Sequence, residues 1–367
     1  MKKQHDVFIK KVLRQSYRMY LGIKNIIDYS IPKTSGINVN YGGAQAGDLG
    51  GPLVKVKRLQ EYFPEKKWGY NIAYLLSNTP YLFPSTLNLM KKKGIRMVHN
   101  QNGVFYPAWY EGDWQRQNEV MAHSYHIADY VFWQSEFCRR TANMFLGKRK
   151  GPGEVLYNAV NTEKFSPELY KDFSREFTFL ITGKISRHLA YRVMGCIEAL
   201  SMVRKMGLKA QLVVAGWLDE KVLIECKLLT EKFKIENGVK FLGSYSQEFA
   251  PDIYRNADVY LMTKHNDPCP NTVLEAMACG LPVIYSDSGG VPELVGKEAG
   301  LPVPCDENYE KTEEVDVVQL SNAMLAISKK HPSMALKARQ RAIKNLEINN
   351  WINRHKEIFT ELLDYKI

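Results

Sequence analysis

Two carboxylates stand eight residues apart in "NDPCPNTVLEAMACGLPV" (266–283): Asp267 beside a pair of prolines, and Glu275 inside a run with helical spacing. Two chemistries fit that arrangement. Thr272 and Glu275 have the T-x-x-E spacing of a capping box, and Asn271 or Thr272 can cap the helix. Alternatively, the acids receive a ligand lying across the helix start, close to the backbone of Pro270, Asn271, Thr272 and Val273. A cap accounts for Glu275, but not for Asp267 or for the prolines that stiffen the loop between the acids. A second cluster, Lys184, Arg187, His188 and Arg192, follows the apolar run "FTFLITG" (177–183). Cations there face a diphosphate or form a solvated helix start. A third group is the loop after "GINVNY" (36–41), with five glycines from Gly42 to Gly51 and a helical run behind Gly50 and Gly51. Glycines let a phosphate approach backbone N–H groups, but neither G-x-G-x-x-G nor G-K-[ST] is present, so a plain flexible loop fits equally. Finally, His99 and Asn100 end the run "GIRMVHN" ahead of the aromatic-rich "QNGVFYPAWYEGDW". Ring faces there suit the apolar face of a sugar, and a packed structural histidine is the alternative.

These groups need elements to hold them. Short β-rich runs occur at 36–41, 71–77, 94–100, 129–135 and 153–160, then at 177–183, 210–216, 238–244, 257–263 and 281–287. Helical patterns lie between them, at 51–63, 115–127, 192–206, 219–234, 247–255 and 272–279. Continuous apolar strands alternating with helices predict parallel sheets covered on both faces. Every candidate group above follows a strand, and open parallel sheets bind ligands beyond the carboxyl ends of their strands. The polar stretch 161–176 reads as a linker between two such units, and 346–367 as a final helix.

Composition excludes some classes and favours others. With 45% hydrophobic and 24% charged residues the chain is globular, and no run is apolar enough to span a bilayer. No secretory signal core opens the sequence, and six scattered cysteines without a C-x-x-C pair fit reduced thiols of a cytoplasmic protein. The net charge of +11 is one-sided: residues 1–150 hold 23 Lys/Arg against 10 Asp/Glu, so the whole excess lies in the first half. A basic half points to a polyanionic partner, either nucleic acid or an anionic membrane surface. No RNA-binding motif is present, which argues against nucleic acid. Within residues 1–30, Ile9, Val12, Leu13, Tyr20, Ile23 and Ile27 form one helical stripe, with Lys10, Lys11, Arg14, Arg18 and Lys24 elsewhere on the helix. Such a helix lies in a membrane interface, or packs on its own domain with its basic face in solvent.

Taken together, "NDPCPNTVLEAMACGLPVIYSDSGGVPELVG" resembles the E-x7-E region, the E-A-M-A-x-G-x-P-V segment and the G-G-x-P-E loop of glycosyltransferase family 4, retaining enzymes of the GT-B fold. "FLITGK", "FLGSYSQEFAPDIYRNADV" and "NAVNTEKFSP" are similar to further segments of that family. The resemblance implies an α/β, GT-B architecture: two Rossmann-like parallel-sheet domains facing a central cleft. The expected parts are an acceptor-binding domain over 1–163, a nucleotide-sugar-binding domain over 174–345, and a helix over 346–367 packing back toward the first domain. It implies a UDP- or GDP-linked sugar as donor, a glycan or lipid-linked acceptor in cell-surface polysaccharide biosynthesis, no metal and no other cofactor. By position, Glu275 would hydrogen-bond the donor ribose and Asp267 the transferred sugar. Lys184 and Arg192 would meet the diphosphate, with Arg187 competing for the second role. Gly50 and Gly51 would face the diphosphate from the first domain, and His99 and Asn100 would lie near the acceptor. Two departures are an Asp where the family has Glu at the first acid, and a Lys where it has Arg. The remaining alternatives are a nucleotide-sugar epimerase of the same fold and a non-catalytic membrane- or RNA-binding protein.

Overall fold

The apolar runs fold as short parallel strands, and all but the strand Gly153–Val155 are followed by a helix. The structure, a computed structural model, describes residues 2–47, 50–168 and 175–364; of residues 2–8, 10 and 11 it describes the backbone alone. Part of the expected linker, 169–174, and residues 365–367 of the expected final helix therefore lie outside the described residues. The chain divides into two units: residues 1–156 with 352–367, and residues 157–351.

Unit 1 begins with α1 (Lys2–Tyr29) and carries β1 (Val39–Asn40), α2 (Gly51–Gln60), β2 (Ile72–Leu76), α3 (Pro84–Lys92), β3 (Arg96–Gln101), α4 (Trp114–Ile127), β4 (Tyr130–Trp133), α5 (Glu136–Phe145) and β5 (Gly153–Val155). The sheet order is β1-β2-β3-β4-β5, all parallel, and an isolated parallel bridge joins Val39 to Glu65 on the far side of β1. The chain therefore steps outward from β1 to Glu65 and then reverses to β2. That reversal is a topological switch point, and the glycine loop follows β1 there. One side of the sheet is packed by Tyr125 of α4 against His99. Phe359 and His355 of the last helix pack against Tyr74 of β2, and His355 also packs against Phe132 of β4.

Unit 2 carries β6 (Phe177–Thr182), α6 (Tyr191–Lys205), β7 (Ala210–Ala215), α7 (Glu220–Phe233), β8 (Val239–Gly243), α8 (Ala250–Arg255), β9 (Val259–Met262), α9 (Asn271–Ala278), β10 (Val283–Ser286), α10 (Val291–Val295), β11 (Gly300–Val303) and α11 (Val317–Asn345). The last helix, α12 (Ile348–Asp364), starts in unit 2 and its residues from Ile352 belong to unit 1. The six-stranded parallel sheet runs β11-β10-β9-β6-β7-β8, with its switch point between β6 and β9. Alternate side chains of β6 enter opposite cores: Leu180 joins Tyr260, Leu274 and Met277, while Phe179 and Ile181 join Ile197, Leu212 and Ile284. Burial on both faces is why these strands read as unbroken apolar runs. At the amino ends of β6 and β9, Arg175 forks onto Asp258 through two 2.8 Å bonds. The opposite, carboxyl ends are left to the candidate site.

Candidate active site

Beside the switch point of unit 2, the ends of β6 and β7 approach each other closely. Gly183 closes β6 at φ +130°, and Gly216 follows β7 at φ +118°; a Cβ on Gly216 would lie 2.0 Å from the Gly183 carbonyl oxygen. Lys184 emerges beside them, exposed, its Nζ 5.0 Å from the Trp217 ring centroid. Arg187 turns away to an exposed ion pair with Glu225 on α7 at 2.5 Å, which takes up the charge it was expected to compete with. Arg192, in the first turn of α6, is only 5% exposed. Its Nη2 meets the thioether sulfur of Met262 at 3.7 Å, and its Nε has no hydrogen-bond partner. Thr263 Oγ1 donates to the Arg192 carbonyl at 3.3 Å, so β9 and α6 hold the guanidinium at the switch point between them.

The acids come from the other side of the same point. After β9 the chain turns at Asn266, a non-glycine residue at φ +50°. The turn is pinned by Ser288 Oγ accepting from Asn266 N at 3.1 Å and by Gly290 N donating to the Asp267 carbonyl at 2.9 Å. Gly289 permits this approach, since a Cβ there would lie 2.6 Å from that carbonyl oxygen. Asp267 is 8% exposed and its Oδ2 is paired with Lys264 at 2.7 Å. Asn158 Nδ2 donates to the Cys269 carbonyl at 2.9 Å and steadies the loop between the prolines.

The capping box expected from Thr272 and Glu275 does not form. Pro270, extended at φ −73° and ψ 121°, is the N-cap of α9, and no side chain caps it. The helix thus begins two residues earlier than the box requires. Thr272 sits second in the helix and Glu275 fifth, too deep to reach back to the cap. The Asn271 Oδ1 has no partner; the Val273 N–H donates to the Pro270 carbonyl at 3.1 Å, while those of Asn271 and Thr272 have no intrahelical acceptor. Glu275 is instead 4% exposed, and its Oε2 accepts from the Tyr254 hydroxyl on α8 at 3.0 Å. Thr182 Oγ1, at the end of β6, lies 3.0 Å from Tyr254 Oη and 3.1 Å from Tyr260 Oη. Burial, reinforced by the Glu275 charge, pushes the Tyr254 hydroxyl far up; burial also raises that of Tyr260 against the opposing Arg192 charge. Both phenols therefore remain donors at neutral pH. At the far end of α9, Arg339 Nη1 donates to the Ala278 carbonyl at 2.7 Å, placing a cation where the helix dipole is negative.

In unit 1, Gly50 stands at φ +88° and Gly51 begins α2; a Cβ on either would meet nothing within 4 Å. His99 is fully buried in β3, unlike a group placed to meet an acceptor. Its Nε2 lies 2.9 Å from Gln101 Oε1 and its ring packs edge-on against Tyr125. Burial lowers its pKa to about 4, so it is neutral at pH 7. Asn100 is 1% exposed, and its Oδ1 accepts from Lys55 Nζ of α2 at 2.7 Å and from Gln134 Nε2 at 2.8 Å.

Unit 2 thus gathers Arg192, Asp267, Glu275 and the start of α9 around one switch point, with Lys184 at the adjoining strand end. Among the described residues no three His, Cys, Asp or Glu side chains come together to hold a metal. A buried guanidinium with an unsatisfied N–H beside a helix start suits an anionic, oxygen-rich group, and flanking acids suit hydroxyls. Sequence reasoning missed Lys264, Tyr254, Tyr260 and Thr182. Lys264 was visible three residues before Asp267; the other three meet Glu275 and Thr272 only through tertiary packing.

The comparisons with known proteins agree with this architecture. The structure resembles sucrose-phosphate synthase from Thermosynechococcus elongatus, with a TM-score of 0.65 and 18% identity over 84% of this chain and 76% of that one. It also resembles HepE of Anabaena in complex with UDP, at TM-score 0.63 and 17% identity over 85% and 82% of the two chains. The fold is GT-B. In sequence, the chain is 23% identical over 178 residues to the gpi3 subunit of phosphatidylinositol N-acetylglucosaminyltransferase of Schizosaccharomyces pombe, covering 48% of this chain and 38% of that relative. The match to the counterpart of Saccharomyces cerevisiae covers 46% of that relative, so the chain spans less than half the length of these curated proteins. Residues 163–341, most of unit 2, match the family model of the glycosyl transferases group 1.

Proposed function

We propose that the chain is a retaining glycosyltransferase that takes a sugar from a UDP- or GDP-linked donor and passes it to a glycan or lipid-linked acceptor. Its place would be cell-surface polysaccharide biosynthesis, in the cytoplasm or on the inner face of the membrane. The observation that carries the reading is Arg192, a buried guanidinium with an unpartnered Nε beside the open start of α9. The match of residues 163–341 and the fold shared with a UDP-bound neighbour support it.

In this reading Lys184, Arg192 and the first-turn N–H groups of Asn271 and Thr272 receive the diphosphate, which passes close to the Val273 backbone. Glu275 accepts from the ribose, held in place by Tyr254. Asp267 exchanges Lys264 for, or shares it with, hydroxyls of the transferred sugar. In the reaction the bond from the anomeric carbon to the diphosphate oxygen breaks while the acceptor oxygen bonds to that carbon on the same face. The acceptor's proton goes to the departing phosphate oxygen. Charge grows on the diphosphate as it leaves, and preorganised cations and dipoles stabilise that charge more than the ground state. No metal is assigned a part.

A panel of UDP-, GDP-, ADP- and CMP-sugars, read by thermal shift and then by hydrolysis, tests the proposal. One UDP- or GDP-sugar is expected to stabilise the protein and to be hydrolysed slowly without acceptor. Lys184→Ala and Arg192→Ala should each lower kcat/KM about a hundredfold, roughly 3 kcal/mol. Wild-type turnover in both variants would overturn the assignments, and an epimerised donor would replace transfer by epimerisation.

A further inference from the structure

The sequence leaves two settings open for the first helix, and the structure turns its apolar stripe away from its own domain. The side of α1 that packs on unit 1 is the mixed row Tyr17, Leu21, Asn25 and Asp28. Tyr17 Oη donates to the Gly43 carbonyl at 2.9 Å, and Leu21 is 5% exposed. Asn25 accepts from the Tyr70 hydroxyl, and Asp28, 1% exposed, pairs with Lys93 at 2.6 Å and accepts from Gly69 N at 2.7 Å. These directional bonds lock the rotation of the helix about its axis. The apolar stripe is thereby turned outward: Val12, Leu13, Met19, Ile23, Ile26 and Ile27 are 47% to 63% exposed. At 100° per residue they fill an arc opposite the anchored row. A helix that buries polar groups and presents isoleucines to the outside has its apolar face placed for an external apolar medium.

Charge selects the occupant. Residues 1–30 contain seven Lys/Arg and two Asp, one of which, Asp28, is neutralised by Lys93. Lys24 stands on one flank of the apolar arc, 5.5 Å from the ring of Trp68, which is 41% exposed, whereas Arg14 lies on the anchored side over the ring of Tyr81. The half of the chain behind this face carries 23 Lys/Arg against 10 Asp/Glu. A second copy docked through α1 would bring like charge against like charge, whereas an anionic bilayer offers the opposite sign together with an apolar interior. Exposed aromatic rings beside lysines suit the headgroup level. Among the described residues no helix is long and apolar enough to cross a membrane. We infer that α1 lies in the plane of an anionic lipid bilayer, its Val12–Ile27 face inserted among the acyl chains and its cations among the headgroups. This docking stands on α1 and does not depend on the proposed transfer reaction.

The test is flotation of the full chain with vesicles of phosphatidylcholine alone and of phosphatidylcholine mixed with phosphatidylglycerol. Binding to the mixed vesicles only, weakened by high salt, is expected. The triple variant Leu13→Glu, Ile23→Glu, Ile27→Glu should lose about tenfold or more of the bound fraction. A milder Ile23→Ala, Ile27→Ala variant should lose part of it with unchanged circular dichroism. Three results overturn the inference: no flotation of the wild type with anionic vesicles, undiminished flotation of both variants, or a solution dimer that the triple variant splits. Thermal shift by UDP on the same variants separates the readings, because lost flotation with a retained UDP shift affects the docking alone.

Discussion

Arg192 keeps a guanidinium 5% exposed with a sulfur at 3.7 Å and nothing on its Nε, an expensive arrangement for a charge with only a structural task. If the cation is kept there for a diphosphate, removing it should relieve the ligand-free protein. Arg192→Met, similar in length and able to pack on Met262, is expected to raise stability by about 1 kcal/mol or more in urea unfolding. The same substitution should abolish the UDP thermal shift. A structural arginine would show the reverse: lost stability with nucleotide binding intact. The acid pair around which this residue is arranged was legible from spacing alone, since Asp267 and Glu275 bracket a helix start in one short stretch. What sets their environment was not. Pro270 takes the cap position and displaces the T-x-x-E box, and Glu275 is held by Tyr254, 21 residues away on another helix. Local spacing cannot register a partner that only the sheet brings near.

Elements show the same division. Strands buried on both faces were readable as apolar runs, and β6 to β10 fall within two residues of their expected limits. The edge strand β11 escaped notice because it is four residues long and contains Pro302, which removes a ladder donor and lowers any strand expectation. The stripe on α1 was readable too, but its direction was not, because Gly43, Tyr70 and Lys93, which anchor the opposite side, are distant in sequence. The glycine pair at the ends of β6 and β7 gives a prediction at this scale. Gly183→Ala adds a Cβ into open space and bears only its unfavourable φ of +130°, a cost of about 1–3 kcal/mol. Gly216→Ala adds a similar strain and drives a Cβ to 2.0 Å from the Gly183 carbonyl oxygen, so it should cost more than about 4 kcal/mol. Denaturant midpoints rank the two, and equal midpoints would show that the strand ends are not held in contact.

At the scale of the whole molecule, two units carry separate cores and different chemistry. Both large apolar clusters lie wholly within unit 2, while His99, Tyr125 and the contacts of Phe359 belong to unit 1. Two perturbations should therefore act on different units. Burial holds the His99 imidazole neutral and its pKa down at about 4, against about 6.5 in the unfolded chain. Below pH 6.5 the unfolded chain takes up a proton that the folded chain refuses. The stabilising contribution is complete above that pH and falls away as the pH drops toward 4. The loss is at most about 3 kcal/mol for this residue, and His99→Gln should flatten that part of the profile. The pKa of His265 in unit 2 is also lowered by burial, but its Nε2 lies 3.0 Å from the Asp306 carbonyl, which offsets the shift. UDP works in the opposite sense on the other unit: at about a hundred times its Kd it should stabilise unit 2 by roughly 2.7 kcal/mol. Hydrogen exchange read by mass spectrometry distinguishes the two, with β3 losing protection between pH 6.5 and 4.5 and β9 gaining it when UDP is added. If acid and nucleotide instead shift both strands together, α12, which starts in unit 2 and ends in unit 1, joins them into one cooperative unit and the separation proposed here fails.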